Sequence, residues 1–287
     1  VAPGTRVLHT DNADPAVIAA HPEESRRVAH HLVEHCTGGN VLALGLESAD
    51  PKVIESNNLN SNVEQVKVAV KLINEVGAGR SSTGLPHLLP GINFLTGLKS
   101  ERKETFSMNL DFLRGLLTDG LMIRRINIRQ VLAVRGKFDT RKHRQEFWRF
   151  KSRVRKEIDR PLMGRVLPAG TVLKRVFLEI WKGKRTFGRQ IATYPILVGL
   201  PYQTELNRFV DVRILSHGYR SVTGTEFPLD VNRASLDALA SLPGIGKKRA
   251  SRIVRARPFK NATQFIDALD DKNVATEVAH FLRFESE

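Results

Sequence analysis

The stretch Asp230-Val-Asn-Arg-Ala-Ser-Leu-Asp-Ala-Leu-Ala-Ser-Leu-Pro-Gly-Ile-Gly-Lys-Lys-Arg-Ala-Ser-Arg-Ile-Val254 decides how the end of this chain folds. Ser235 is placed to cap a short helix running through Ser241, its hydroxyl accepting from first-turn amides. Pro243-Gly-Ile-Gly246 then makes a tight turn, and Lys247 opens a second helix. Gly244 and Gly246 let the backbone come close to a ligand, and the amides at the second helix's N-terminus point outward. A phosphate fits there, helped by the helix dipole. Lys247, Lys248, Arg249 and Arg252 supply positive charge nearby, and Ile245 reads as the apolar plug that holds the hairpin. The plainer alternative is a helical hairpin used only for packing or protein contacts.

These residues resemble the helix-hairpin-helix family, whose turn pattern Pro243 to Gly246 matches without a gap. The resemblance implies contact with backbone phosphates and little reading of base sequence. Downstream, Pro258-Phe-Lys-Asn-Ala-Thr-Gln-Phe-Ile-Asp-Ala-Leu269 reads as a degenerate second hairpin or as a capping helix.

Lys and Arg number 45 against 30 acids, a formal charge of +15 over 287 residues. Such an excess favours polyanionic partners through counterion release, although a basic surface can also be merely solvated. It concentrates between Arg135 and Arg165, whereas Asp267 to Glu287 is close to balanced. Hydrophobic residues make up 41%, ordinary for a soluble protein. No apolar run approaches the roughly 18 residues of a membrane span, so no membrane partner is expected. Cys36 is the one cysteine. It can form no internal disulfide, which fits a cytoplasmic location, and a half-buried free thiol is expected. The opening Val1-Ala-Pro-Gly-Thr-Arg6 does not read as a signal peptide. A start on Val, with strand-like Val7-Leu8 close behind, reads as a fragment whose beginning lies elsewhere.

Before the hairpin the hydrophobic period is two. Val172-Leu-Lys-Arg-Val-Phe-Leu-Glu-Ile180, Arg189-Gln-Ile-Ala192, Pro195-Ile-Leu-Val198 and Phe209-Val-Asp-Val-Arg-Ile-Leu215 read as short antiparallel strands closing a small β barrel. Leu206 to Leu215, followed by Arg220-Ser-Val-Thr-Gly224, resembles the end of a TRAM domain, an OB-like barrel attached to RNA-modifying enzymes. That resemblance implies RNA contact through Lys182, Lys184, Arg185 and Arg189. Stacking aromatics look few: Phe187, Tyr194, Tyr202 and Tyr219.

The first half alternates strands and helices. Strands are predicted at Arg6–Thr10, Val41–Leu46, Gly91–Leu95 and Arg125–Leu132, with helices at Glu23–His35, Asn62–Val76 and Lys103–Leu117 between them. Regular strand–helix order implies parallel strands with right-handed crossovers. Chemistry in such sheets sits at the carboxyl ends of the strands, here near Asp11, Glu47-Ser48, Thr96-Gly97 and Arg129-Gln130. Gly45-Leu-Glu-Ser-Ala-Asp-Pro-Lys-Val-Ile54, then Gly91-Ile-Asn-Phe-Leu-Thr-Gly-Leu-Lys-Ser-Glu-Arg-Lys-Glu-Thr105, resembles the later strands of the radical S-adenosylmethionine (SAM) enzyme barrel. The TRAM-like and hairpin modules behind it point to an archaeal-type group related to the methylthiotransferases.

That resemblance implies SAM and a [4Fe–4S] cluster in the intact protein. Glu47 and Ser48 would approach the ribose or methionine end of SAM, and Ile92 to Gly97 would pass beside the adenine. Glu101 would end a Gly-x-x-x-Glu turn, with Lys99 and Ser100 replacing the family's Pro and Gly. Arg129 and Gln130 would sit at the floor or mouth of the site. The family's Cys-x-x-x-Cys-x-x-Cys loop is absent, so the cluster is not expected on this chain, and no glycine-rich turn follows the second strand. Four strands are predicted where the family has about six. The missing N-terminal part of the barrel is therefore an expected partner, covering an open strand edge.

One competing pattern remains. His31-Leu-Val-Glu-His35 matches the inverted zinc-peptidase arrangement His-x-x-Glu-His, with Glu101 or Glu104 as a conceivable third ligand. Five residues arise easily by chance, and surface histidines on a helix are the simpler reading, so no metal site is expected.

The fold class expected is multidomain α/β + β + α: a partial parallel (βα) barrel of radical SAM type over 1–138, a basic helical linker over 139–168, a TRAM-like β barrel over 169–226 and a helix-hairpin-helix over 227–287. The function expected is the C-terminal portion of a radical SAM enzyme modifying a nucleic acid, RNA favoured over DNA, with this chain alone inactive. A non-catalytic nucleic-acid-binding protein is the alternative.

Overall fold

The structure, a computed structural model, describes residues 5, 7–132 and 143–284. A short edge strand, β1 (Asn12–Ala13), leads into α1 (Pro15–Ala20) and α2 (Pro22–His35). The continuous apolar run around Leu44 forms β2 (Asn40–Glu47), followed by α3 (Pro51–Ser56) and α4 (Val63–Gly77). Asn62 and Gln65 close a reciprocal capping box at the start of α4. Then come β3 (Leu88–Thr96), α5 (Lys103–Thr118) and β4 (Arg125–Gln130). All pairings are parallel and the strand order is sequential, β1-β2-β3-β4.

Sequential order puts every crossover helix on one face of the sheet. Leu42, Leu44 and Leu46 of β2, Ile92 and Phe94 of β3 and Ile126 of β4 bury against Val66, Val70 and Ile73 of α4 and Phe106, Leu110 and Leu113 of α5. The opposite face carries buried Val41, Ala43 and Leu89 toward the strand starts and Gly45, Asn93 and Asn127 toward their ends, with Asn127 donating to Asn93 at 2.9 Å. A doubly wound sheet would be covered by helices on both faces; here α4 and α5 pack on one. The four strands do not close on themselves.

The strand expected at Arg6–Thr10 is displaced to Asn12–Ala13, and Arg6 itself lies outside the described residues. Side chains and one backbone bond, rather than a ladder, tie this segment down: the Leu8 amide donates to Thr37 Oγ1, the Thr37 amide to Leu8 O and the Thr10 amide to Asn40 Oδ1. The two unforeseen helices, α1 and α3, both begin Asp-Pro, with Asp14 and Asp50 as side-chain caps and proline in the first turn.

The basic stretch is α6 (Arg144–Arg153), a π-helical segment Val154–Asp159 and α7 (Arg160–Val166). Residues 133–142, which include Arg135 and the expected boundary at 138, lie outside the described residues. Phe150, Val154, Ile158 and Leu162 recur every fourth residue and enter the sheet's core. A strict step of four drifts around an α-helix. The wider π segment, with its i→i+5 bonding, returns these residues to one face.

The chain divides into two compact units, Val1–Val166 with Ala192–Tyr194, and Leu167–Ile191 with Pro195–Glu287. In the second unit β5 (Val172–Lys182), β6 (Arg185–Arg189), β7 (Leu197–Leu200), β8 (Phe209–His217) and β9 (Ser221–Glu226) close a barrel in the order β5-β6-β7-β9-β8. Leu173, Val176, Leu178, Val198, Val212 and Ile214 fill it. The strand expected at Arg189–Ala192 lies earlier, ending at Arg189, and β7 pairs with β9 in parallel rather than antiparallel. After β10 (Leu229–Asp230) come α8 (Leu236–Ala240), α9 (Gly246–Arg255), α10 (Ala262–Ala268), α11 (Lys272–Ala279) and β11 (Leu282–Arg283). The β10–β11 pair ties the end of the module to its beginning.

Candidate functional site

The turn between α8 and α9 is built as its sequence dictates. Ser235 Oγ accepts from the Ala238 amide and caps α8. Gly244 and Gly246 take left-handed φ values of 72° and 58°, a conformation that glycine alone adopts without cost. A Cβ on Gly244 would lie 2.8 Å from Val274 Cγ1, so this glycine also lets α11 approach. A Cβ on Gly246 would meet nothing within 4 Å. Ile245, 3% exposed, plugs the hairpin. No side chain caps α9. Its N-terminus therefore presents backbone amides and the positive end of the dipole to open space, with Lys247 and Lys248 exposed beside it.

Arg249 and Arg252 are differently placed. Arg249 donates to Gly244 O at 2.6 Å and to Asp270 and Asp271 at 2.8 and 3.3 Å. It braces the turn against the α10–α11 loop. Arg252 stands 3.4 Å from Asp270. The second helical pair, α10 and α11, answers the choice left open for Pro258–Leu269: Asn261 caps α10, and Phe265 is buried beneath it.

On the barrel, Arg185 is exposed and lies 5.9 Å over the Phe187 ring. Arg189 is paired with Glu179. Of the aromatics noted in the sequence, Tyr202 is buried, its hydroxyl bonded to Thr225 and the Glu226 amide, and Tyr194 belongs to the first unit. Phe177, Phe209 and Trp181, which sequence reasoning passes over, lie outside the barrel core; Phe209 and Trp181 are about half exposed. Their signal is present in the alternation of β5, where Phe177 falls on the polar side.

At the strand ends, Glu47 has a left-handed φ of 63° at a bulge in the β2–β3 pairing. The carboxylate folds back over Gly45, with Oε1 2.8 Å from where a Cβ would stand, and Oε2 is buried with no partner among the described residues. Burial raises the Glu47 pKa, opposed by the charge of Arg129. Ser48 is buried and its hydroxyl accepts from the Asp50 amide at 3.1 Å, a structural turn. Asp50, also buried, accepts from Thr105 Oγ1 at 2.7 Å and Arg102 Nε at 3.1 Å. Burial would raise its pKa, but these bonds, the Lys52 amide and the Arg102 charge together hold it below the usual value. Gly97, with φ 84°, donates its amide to Glu101 Oε2 at 2.9 Å, and burial pushes Glu101 up to about 7 against that bond. Arg129 is exposed at the end of β4. The structure thus brings Glu47, Arg129 and the face of Gly45 together. Ile92 it does not: its side chain is fully buried in the helix-side core, the opposite face from Gly45.

His31, Glu34 and His35 do lie together on α2, with candidate ligand atoms within 4.8 Å, all exposed. Neither Glu101 nor Glu104 joins that group. Cys36 is a half-buried free thiol whose pKa burial raises. No helix among the described residues is long and apolar enough to cross a membrane.

The geometry of the turn has its counterpart among known families: residues 226–276 match the helix-hairpin-helix motif. The chain is also similar to two archaeal proteins described as uncharacterized. One, from Archaeoglobus fulgidus, is 46% identical over 249 residues, covering 84% of this chain and 47% of its relative. The other, from Methanocaldococcus jannaschii, is 51% identical over 228 residues, covering 76% of this chain and 42% of its relative. The chain thus spans less than half the length of either. A helix-hairpin-helix near the C-terminus points to a nucleic-acid partner, and the family match extends over neither the sheet nor the five-stranded barrel.

Proposed function

We propose that this chain is the nucleic-acid-holding portion of a larger radical SAM-type enzyme, with RNA as the favoured substrate. The observation that carries the nucleic-acid part is the uncapped start of α9, where Gly246 stands in open space between exposed Lys247 and the turn. A phosphate oxygen there accepts from backbone amides and sits in the field of two lysines, the donor set a polyanion needs. Such contacts fix the strand without reading bases.

The enzymatic part rests on the sheet. Sequential parallel strands with helices on one side, and an opposite face that turns from apolar to polar and glycine-containing toward the carboxyl ends, suit an open barrel wall. The residues present fit SAM in part. Glu47 offers a buried, unpartnered carboxylate oxygen suited to a hydroxyl or ammonium donor, Gly45 leaves room for that carboxylate to fold over the strand, and Arg129 lies nearby. Bound there, SAM would supply the reactive group; Glu47 would orient it, and the β1 edge would pair with further barrel strands. A [4Fe–4S] cluster does not fit these residues, since it needs several thiolates and this chain has Cys36 alone.

That single thiol favours a second reading, a nucleic-acid-binding protein that uses the sheet as scaffold. Fluorescence-anisotropy titrations with labelled tRNA, single-stranded DNA and duplex DNA at two salt concentrations test the shared part. Tight, salt-sensitive binding with preference for tRNA is expected. Absence of binding to all three would remove the nucleic-acid reading. Equilibrium dialysis with labelled SAM separates the two readings: saturable binding abolished in Glu47→Ala supports the first, and none supports the second.

A further inference from the structure

The outer face of the barrel carries a row of side chains that the hairpin does not account for. Phe177 of β5 pairs in register with Arg189 of β6 on one side and with Phe209 of β8 on the other. Directly paired residues share a face of a sheet, with neighbouring strands about 4.8 Å apart. The Phe177 and Phe209 rings stand 5.1 Å apart, tilted by 54°. Phe209 is 49% exposed, an unusual position for a phenylalanine in a strand that begins a barrel wall. Beside the row, Arg175 sits at a bulge in the β5–β8 pairing with a left-handed φ of 56°. Bulges redirect side chains, and a non-glycine residue held in this region marks a conformation that its surroundings impose. Here the result is that the Arg175 guanidinium lies 4.7 Å over the Phe209 ring. Among the described residues no carboxylate pairs with it; Asp211 accepts from the Arg175 amide and from Lys174 Nζ instead.

We propose that Phe177, Phe209 and Arg175 form a stacking platform on the barrel for the bases of a single-stranded nucleic acid, a site separate from the phosphate grip of the hairpin. The chemistry is that of single-strand recognition: an exposed ring offers its face to any base, and a guanidinium plane extends the stack while its charge attracts the backbone. A duplex keeps its bases stacked internally and has no face to offer such a platform. The platform therefore selects unpaired over paired strands, which the sequence-tolerant hairpin does not do. The net charge of +15 favours an anionic occupant over an apolar protein segment, and the ring faces with a guanidinium over them favour planar bases over the carboxylates of an acidic one. The inference rests on the nucleic-acid reading above and adds to it the strandedness of the substrate.

The test uses the full chain, a fluorescent oligouridylate of about 12 nucleotides, within the span one such barrel covers, and an RNA duplex of the same length. Phe209→Leu keeps the apolar volume and removes the ring; Phe209→Tyr keeps the ring. Affinity of Phe209→Leu for the single strand should fall about tenfold, and that of Phe177→Leu/Phe209→Leu further, with duplex affinity and the salt slope unchanged. Phe209→Tyr should bind like the parent chain. Equal affinity of parent and leucine variants for the single strand, or equal losses on single strand and duplex, would overturn the platform while leaving the hairpin reading intact. If the parent chain binds neither probe, both readings fall together, whereas a change in Lys247→Glu alone with none in the phenylalanine variants removes only the platform.

Discussion

Arg249 Nε donates to Asp270 Oδ1 at 2.8 Å, so one of the four cations around the hairpin turn is committed to the fold. Asp270 lies well outside the turn, and the bond crosses from α9 to the loop before α11. The hairpin's charges therefore divide into Lys247 and Lys248, which face solvent, and Arg249 and Arg252, which both meet Asp270, Arg249 also bracing the turn.

From this division follows a contrast between variants. Lys247→Glu with Lys248→Glu should weaken binding to every nucleic acid alike and lower the slope of log affinity against log salt by about 1.5, two phosphate contacts' worth. Arg249→Ala should leave that slope nearly unchanged while lowering the thermal midpoint. Anisotropy titrations across a salt series, with melting curves alongside, separate the two. Equal slopes for the lysine double variant and the parent would falsify the hairpin as the main phosphate contact.

The two glycines of the turn should also differ. Gly246→Ala introduces left-handed strain of about 1 kcal/mol into open space. Gly244→Ala carries the same strain and drives a Cβ to 2.8 Å from Val274. Urea unfolding should show Gly244→Ala as clearly the less stable. Gly246→Ala, whose new methyl stands at the phosphate approach, should lose more affinity than stability.

Glu101 gives a pH signature. Its folded pKa of about 7 lies above the ordinary 4.5 because burial disfavours the charged form. A carboxyl raised on folding binds its proton more tightly in the native state. Its contribution is fully present below pH 4.5 and is lost as pH rises toward 7 and beyond. The first unit's stability should decline across that window. Glu101→Gln, which keeps an acceptor for the Gly97 amide, should flatten the decline; an unchanged pH profile in the variant would assign it elsewhere.

Asp50 behaves oppositely. Its pKa is held low by Thr105, Arg102 and the Lys52 amide, so its stabilisation is present above the ordinary value of 3.8 and is lost as pH falls through the folded one. Asp50→Ala would strand the Thr105 hydroxyl and remove the cap of α3. A loss of about 1–3 kcal/mol is expected in denaturant titrations.

Much of this is legible along the chain. The order of strands and helices, the Asn62 cap, the turn at Pro243–Gly246 and the alternation of a small barrel all express local rules: hydrophobic period, capping chemistry and glycine's access to positive φ. The resemblance that set Ile92 beside a cofactor concerns the strand as a whole; that the Ile92 side chain faces the helices is decided by strand pairing and the side on which α4 and α5 pack. Local reading misplaces β1 because Leu8 and Thr10 are held by the side chains of Thr37 and Asn40, about 30 residues away in sequence, and the ladder to β2 begins only at Asn12. The platform aromatics escape a linear reading because Phe177 and Phe209 are 32 positions apart and meet only through strand register.

The sequence by itself determined the elements, the hairpin turn and the excess of positive charge, since these depend on neighbours within a few residues. Only the tertiary structure decided which charges are free. Lys248 and Arg249 are adjacent and equally basic on paper, yet their side chains point to different sides of a 3.6-residue helical turn, and only Arg249 meets acids brought in by a later loop. The same holds at the strand ends: a bulge and a left-handed φ at Glu47 turn its carboxylate onto the open face of the sheet, a direction set by pairing with β3 and invisible to residue order.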